Sequence, residues 1–269
     1  MEASQIEARL QELSPEIPWA HLIELAPDRF SVTPADEKFY KKATGLSLIG
    51  ELLMEIAGMQ VHGHSLAGKR VLDLACGEGG HAIQFARKGA QVLGVEGRKL
   101  YVDRARFAAE ATGTADRIEI LQGDVRKLPA DIGTFDIVVF SGILHHLGQA
   151  DFDGIVAELG RVTGDILLLY THISTELSIK NHRLQGPVKT AAGRTGYLFR
   201  EHDDNAGAEE REKKVRASLD NTFSFWAQEP SLIDAIRSAG FNLVLKAVHP
   251  HVFGWEGASY RPIIVARKG

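Results

Sequence analysis

Only one cysteine, Cys76, occurs among the 269 residues, so no disulfide can form within the chain and the thiol fits a reducing compartment. No apolar run approaches the ~18 residues that a membrane-spanning helix requires. The opening residues, Met1 to Arg9, have neither a basic nor an apolar stretch and do not read as a secretory signal. Positive charge is not in excess either: the formal net charge of −4 gives no global reason to expect nucleic-acid binding. Internal repeats and low-complexity tracts are missing. What remains, 44% hydrophobic and 25% charged, is an ordinary globular composition, long enough to bury a full core as one elaborated domain. The expectation is a cytoplasmic protein of enzyme size, crossing no membrane, as a monomer or homodimer.

The stretch around which the rest is organised is Val71-Leu72-Asp73-Leu74-Ala75-Cys76-Gly77-Glu78-Gly79-Gly80. A short apolar run ends in glycines, and His81 to Lys88 read as helix. Strand, tight turn and helix in that order open a βαβ unit suited to a nucleotide-like ligand. The glycines let the backbone turn sharply and approach the ligand where a Cβ would clash. Asp73 ends the strand, four residues before Gly77. A carboxylate there would repel a pyrophosphate and welcome an ammonium or sulfonium group. Gly77-x-Gly79-x-x-Ala82 also satisfies the dinucleotide fingerprint, with Glu96 placed to take a ribose, which keeps an NAD-dependent oxidoreductase as a competing reading. Asp73, the late position of the fingerprint and the lack of a recognisable Tyr-x-x-x-Lys pair count against it.

From Arg70 onward, strands alternate with helices. Val71 to Ala75, Gln91 to Glu96, Ile118 to Gln122, Phe135 to Ser141 and Asp165 to Thr171 read as strands. Arg98 to Ala111 and Asp151 to Gly160 have helical apolar spacing. Such alternation argues for a parallel sheet covered on both faces. Phe241 to Val248 and Tyr260 to Ala266 follow as two β-type runs joined by a loop too short for a parallel crossover, so the last pair is antiparallel. Before the core, Ile6, Leu10 and Leu13 share a helix face that Pro15 and Pro18 stop. Thr33-Pro34-Ala35-Asp36 then caps a helix that Gly45 interrupts, and Leu46 to Met59 continue as apolar helix. These segments either cap a ligand pocket or merely cover a sheet edge.

The pattern h-x-D-x-x-x-G-x-G resembles motif I of the class I S-adenosylmethionine-dependent methyltransferases, and the later motifs agree in order and spacing over residues 60 to 173. The resemblance implies a Rossmann-like, seven-stranded, mostly parallel α/β sheet with an antiparallel last strand. It divides the chain into an N-terminal helical cap (1–60), a cofactor-binding core (61–173), an acceptor-site insertion (174–228) and a C-terminal helix with the closing strand pair (229–269). The cofactor implied is S-adenosyl-L-methionine, with S-adenosyl-L-homocysteine as product. Ala75, Gly77 and Gly79 would shape the turn beside its methionine part, and Asp73 would attract the cationic end. Glu96, with Gly97 and Arg98, would take both ribose hydroxyls, and Asp124, with Val125, the adenine amino group. Ser141, Gly142 and His146, in Phe140-Ser141-Gly142-Ile143-Leu144-His145-His146, would pass beside the methyl group. Any one acid alone could be a surface residue or a helix cap. Three of them, each at a strand's C-terminal end beside glycine, make coincidence a poor account.

Methyl transfer needs alignment of the nucleophile above all, and a base only for a protonated acceptor. His145 or His146 after the fourth strand and His172 after the fifth are the candidate bases, with His145 and His172 preferred and not separated by the sequence; core or capping roles also fit them. The insertion and the N-terminal helices supply Tyr40, Arg194, Tyr197, Arg200, Glu201, Asn221 and Trp226 as candidate acceptor contacts. A Thr-His after strand five, then Gly196-Tyr197 to Glu201, then Asn221-Thr222-Phe223-Ser224-Phe225-Trp226, is similar to a pairing in poorly characterised branches of the superfamily and names no substrate. Lys180, Arg183, Lys189, Arg194 and Arg200 run without an acidic residue and suggest an anionic group on a small acceptor, methylated on oxygen or nitrogen. Glu201 to Asp220 reads as a solvated loop and helix. A tRNA-modifying branch has broadly similar sequence here, which keeps RNA open. The run is short, however, lacks an RNA-binding module and is followed by dense acid. None of His62, His64, His249 and His251 shows a standard metal-ligand spacing, so no metal is expected. Cys76 reads as a small packed residue.

Overall fold

The computed structural model describes residues 1–14, 17–32, 37–61, 65–214 and 217–269, with backbone alone for 37–39, 42, 57–61 and 250–253. The cap expected at Thr33 to Asp36, and His62 and His64, lie outside the described residues. Contacts divide the chain into two units, Met1–Leu128 and Pro129–Gly269.

In the first unit, α1 (Ala3–Glu12) precedes a small hairpin of β1 (Glu24–Ala26) and β2 (Arg29–Phe30). Then come α2 (Glu37–Val61), β3 (Arg70–Leu74), α3 (Gly80–Arg87), β4 (Gln91–Glu96), α4 (Lys99–Ala111) and β5 (Ile118–Gln122). Ile6 and Leu13 are buried as their spacing predicts, in a cluster with Trp19, Ile23, Val32 and Phe107. Gly45 does not interrupt α2, which runs 25 residues without a break. Glycine weakens a helix by only about 1 kcal/mol, and the burial of Ala43, Ile49 and Leu53 along the same helix outweighs that. Gly50 lets α2 lie against α3, since a Cβ there would stand 2.4 Å from His81 Nδ1. β3, β4 and β5 pair in parallel. Val71, Leu72, Asp73 and Leu74 are all buried, as a strand covered on both faces requires.

In the second unit, β6 (Phe135–Ser141) leads through a 3₁₀ turn (Leu144–His146) to α5 (Phe152–Val162) and β7 (Thr163–Tyr170). α6 (Glu176–His182), β8 (Gln185–Lys189), β9 (Thr195–Arg200), α7 (Ala208–Lys213) and β10 (Phe223–Ala227) follow. α8 (Glu229–Ser238), β11 (Leu243–Ala247), α9 (Pro250–Ser259) and β12 (Ile263–Arg267) complete it. β6 and β7 are parallel, whereas β12 is antiparallel to both β7 and β11. The link between the last two strands is the helix α9, not a loop; proline at its start supplies the helix-initiating residue, and Gly254 kinks it. The segment after β7 holds a separate antiparallel sheet in the order β10-β9-β8. Only part of Glu201 to Asp220 is solvated. α7 is exposed, but Glu201, His202 and Ser218 are buried because their polar atoms find partners inside the unit.

The main sheet has seven strands in the order β11-β12-β7-β6-β3-β4-β5, mostly parallel with antiparallel closing strands and helices around it. This is the Rossmann-like arrangement expected from the alternation of apolar strands and helices.

Candidate active site

At the end of β3 the chain turns over. Ala75, expected as the strand's last residue, already lies in the left-handed region (φ 56°), as do Gly77 (φ 56°) and Gly79 (φ 79°). Only glycine takes such angles without cost, and a strained alanine beside two of them marks a turn whose shape matters more than its own stability. The turn opens α3, whose N-cap Gly79 offers no side chain.

Three carboxylates sit under this turn, each buried. Asp73 is 1% exposed, and its Oδ2 has no hydrogen-bond partner. Burial, with Glu96 nearby, lifts its carboxyl from 3.8 to about 8, against a backbone hydrogen bond from Ala82. Glu96 closes the turn: its Oε2 accepts from the Gly77 N–H (3.0 Å) and its Oε1 from the Arg98 N–H (2.8 Å). A backbone hydrogen bond from Gly97 reaches the same carboxylate. Val125 is buried, Gly97 accepts from the Gln122 amide, and the Arg98 guanidinium lies over the Tyr101 ring. Asp124 is bound by Arg126 through three side-chain contacts of 2.9–3.1 Å, which hold its carboxyl below the ordinary value against the lift from burial.

The third carboxylate, Glu78, has no counterpart in the sequence reading. Its Oε1 meets Arg104 Nη1 at 2.7 Å, with both side chains fully buried. Its Oε2 accepts from the N–H groups of Ala20 and His21, each at 2.8 Å. Arg104 also donates to the carbonyls of Leu13, Ile17 and Pro18. The pair thus latches Leu13 and residues 17–21 onto the glycine turn. His21 lands on it: Nδ1 accepts from the Gly80 N–H (3.3 Å), standing in for the missing N-cap side chain. No local pattern signals the latch, because Glu78 and Arg104 meet only through the turn and α4. The one available sign was an acidic residue placed between two turn glycines.

In the second unit, histidines gather. The His145 and His172 rings stack 3.8 Å apart at 15°, and His145 lies 4.3 Å from His146. Both His145 and His172 are held well below the ordinary histidine value, by burial first and then by neighbouring imidazoles and the charge of Arg261. They are neutral at pH 7. His145 Nδ1 lies 3.3 Å from the His172 N–H and 3.3 Å from Thr171 Oγ1. Trp226 donates its indole N–H to the His145 carbonyl (3.0 Å) and meets His172 edge-on at 4.7 Å. His182 and Phe199 pack on Trp226 in turn. Glu201, at the end of β9, reaches His146 Nδ1 at 2.7 Å, and Asn221 Nδ2 donates to the His146 carbonyl at 3.0 Å. The fold therefore unites His145, His146, His172, Glu201, Asn221 and Trp226. Ser141 ends β6, and Gly142 (φ 77°) donates to the Tyr170 carbonyl.

The other expected acceptor contacts have different surroundings. Arg194 is engaged by Asp153 (2.9 Å) and Asp234 (3.3 Å), and Arg200 by Asp203 and Asp204. Tyr197 stands opposite Trp226 in the β9–β10 register. Tyr40 packs against the cluster around Ile6 and Trp19. Cys76 is buried and its thiol is pushed up by burial, a packed residue. Among the described residues, no three His, Cys, Asp or Glu side chains assemble as a metal site.

A family model described as a methyltransferase domain matches residues 71–165. The chain is 32% identical over 126 residues to a sterol 24-C-methyltransferase, ERG6B, of Gibberella zeae, covering 43% of this chain and 33% of that one. It is 29% identical over 182 residues to a demethylmenaquinone methyltransferase of Thermobifida fusca, covering 66% of this chain and 71% of that one. The chain thus spans about a third of the length of the sterol enzyme it matches. In solved structures, the N-terminal domain of EvdMO1 with SAH bound has a TM-score of 0.72 at 22% identity, covering 100% of this chain and 98% of that one, a likeness of fold. With the motif I spacing, the seven-stranded sheet and the matched domain in agreement, residues 71–165 form a methyltransferase domain of the class I S-adenosylmethionine-dependent type.

Proposed function

We propose that this protein transfers a methyl group from S-adenosyl-L-methionine to an oxygen or nitrogen atom of a small molecule. The observation that carries the reading is Asp73 Oδ2, a buried carboxylate oxygen with no partner, at the end of β3 beside a left-handed glycine turn. Burial keeps this carboxyl protonated at neutral pH, and an ammonium group placed against it would ionise and pair it. Asp73 would hold the amino-acid end of the cofactor and Gly77 and Gly79 would border it. Glu96 would accept from the ribose, and Asp124 would serve the adenine. The bound cofactor supplies a methyl group already activated by sulfonium, so the protein's task is to align the acceptor and exclude water. The histidine cluster stands ready to take the acceptor's proton, and the segment 174–228 shapes acceptor choice. Since aspartates engage Arg194 and Arg200, an anionic acceptor now rests on Lys180, Arg183 and Lys189.

Calorimetric titration with the methionine cofactor, its homocysteine product and NAD in turn tests the reading. Micromolar binding of the two sulfur compounds, weakened by Asp73→Ala and by Glu96→Ala, supports it. Binding of NAD alone would return the argument to hydride transfer.

A further inference from the structure

We propose that His146 and Glu201 form the proton-accepting couple for the methyl acceptor, with His145 and Trp226 as positioning residues. The inference rests on the methyl-transfer reading and deepens it. Three histidines are available, and their surroundings differ. His145 is 4% exposed, and its Nδ1 faces the His172 N–H, so that nitrogen serves as acceptor and the ring's proton sits on Nε2. An imidazole in that form donates; it cannot receive a proton at Nε2. His172 is packed among Tyr170, Trp226 and Tyr260 and has no carboxylate partner among its ring contacts. Only His146 combines a 15% exposed side chain with a carboxylate, Glu201, that is itself 1% exposed.

The chemistry follows from the partner. An ionised carboxylate only accepts, so His146 Nδ1 carries the hydrogen toward Glu201 Oε1 (2.7 Å) and Nε2 keeps its lone pair. Glu201 is fixed at its other oxygen by the Ser218 N–H (3.4 Å) and at its carbonyl by Lys214. The His146 backbone is fixed by Asn221. The groups that face the couple are therefore Glu201 and Lys214 from one side and His145, with His172 behind it, from the other. As the bond between the acceptor atom and the methyl carbon forms, the methyl–sulfur bond breaks, and its electron pair stays on sulfur as a neutral thioether. The acceptor's proton passes to His146 Nε2. The imidazolium formed is stabilised by the buried Glu201, and solvent later takes the proton.

The test is nitrogen NMR of the imidazoles in the full chain saturated with S-adenosylhomocysteine, followed across pH 5–9. Neutral His146 is expected with its hydrogen on Nδ1; Glu201→Gln is expected to shift the tautomer toward Nε2. A neutral His146 with its hydrogen on Nε2 overturns the proposal. A second measurement separates chemistry from structure: turnover of phenols of graded acidity, chosen because aromatic rings surround the cluster. His146→Gln should slow weakly acidic phenols about 100-fold or more, spare a phenol already ionised at the assay pH, and leave S-adenosylhomocysteine affinity within about twofold. Equal losses across the series would mean a merely structural histidine. No binding of S-adenosylhomocysteine by the unaltered protein would instead sink the methyl-transfer reading itself.

Discussion

The glycine turn and the histidine cluster are built in opposite ways. The turn draws its main groups from a short stretch, Asp73 to Arg98, within which Glu96 accepts from backbone N–H groups. The cluster draws on residues far apart in the chain: His146 and Glu201 are 55 positions apart, and Trp226 and His145 are 81 apart. One is a local device, repeated wherever a strand must turn into a helix under a ligand. The other exists only when a second, small sheet has folded. A fixed cofactor suits the first construction, and a variable acceptor suits the second.

The largest effect expected from breaking this contrast lies at the latch. Arg104→Met leaves Glu78 buried without its cation and frees three carbonyls. A loss of about 3–5 kcal/mol in denaturant unfolding is expected; a loss under ~1 kcal/mol would show that the pair is dispensable. Next comes Asp73→Asn, which keeps the shape of the turn and removes its charge. Cofactor affinity should fall about 100-fold, the loss of one partner of a buried charge pair. The unaltered protein should also release a proton on binding below pH 8, so that affinity rises with pH from 6 to 8, because an adjacent cation ionises an Asp73 whose free value is about 8. Calorimetry in buffers of different ionisation enthalpy measures that proton, and pH-independent binding would contradict the assignment.

Asp73 and the buried histidines should also respond to pH with opposite signs. Burial pushes His81, just after the turn, down to about 4, and His145 and His172 well below 6.5. Their contribution to stability is whole above pH 6.5 and is lost as pH falls toward the folded values, at up to about 1.4 kcal/mol per pH unit for each proton taken up. Asp73, raised from 3.8 to about 8, favours the fold at low pH and loses that contribution as pH rises through 8. Denaturant midpoints of the cofactor-free protein should therefore drop below pH 6.5, and Asp73→Asn should remove the decline toward pH 8. The smallest effect is expected at Trp226→Phe. It forfeits the indole hydrogen bond to the His145 carbonyl, worth about 1 kcal/mol, while keeping an aromatic ring against His172.

How far each region was legible follows from these distances. Asp73, Gly77, Gly79 and Glu96 were readable because strand, turn and helix periods are local, and they do meet at one turn. The latch was not, since nothing near Glu78 announces Arg104 or the backbone of Leu13 and residues 17–21. Gly45 misled because helix propensity is weak beside the burial of Ala43, Ile49 and Leu53. α9 was missed because an apolar stretch interrupted by Gly254 has no clean helical period. His202 was read with the charged run around it, and Glu201 both with that run and as an acceptor contact, yet both are buried, since a charged residue enters the interior wherever a partner waits for it.

The sequence by itself determined the sheet and the turn, because apolar periodicity and glycine spacing act over a few residues and leave the chain little choice. Tertiary structure alone decided which acids and histidines meet: that Glu78 holds Arg104, that Glu201 faces His146, and that Arg194 is spent on Asp153 and Asp234. Those pairings depend on side chains brought together across tens of residues, where the cost of burying a charge is met only by the partner that the fold supplies.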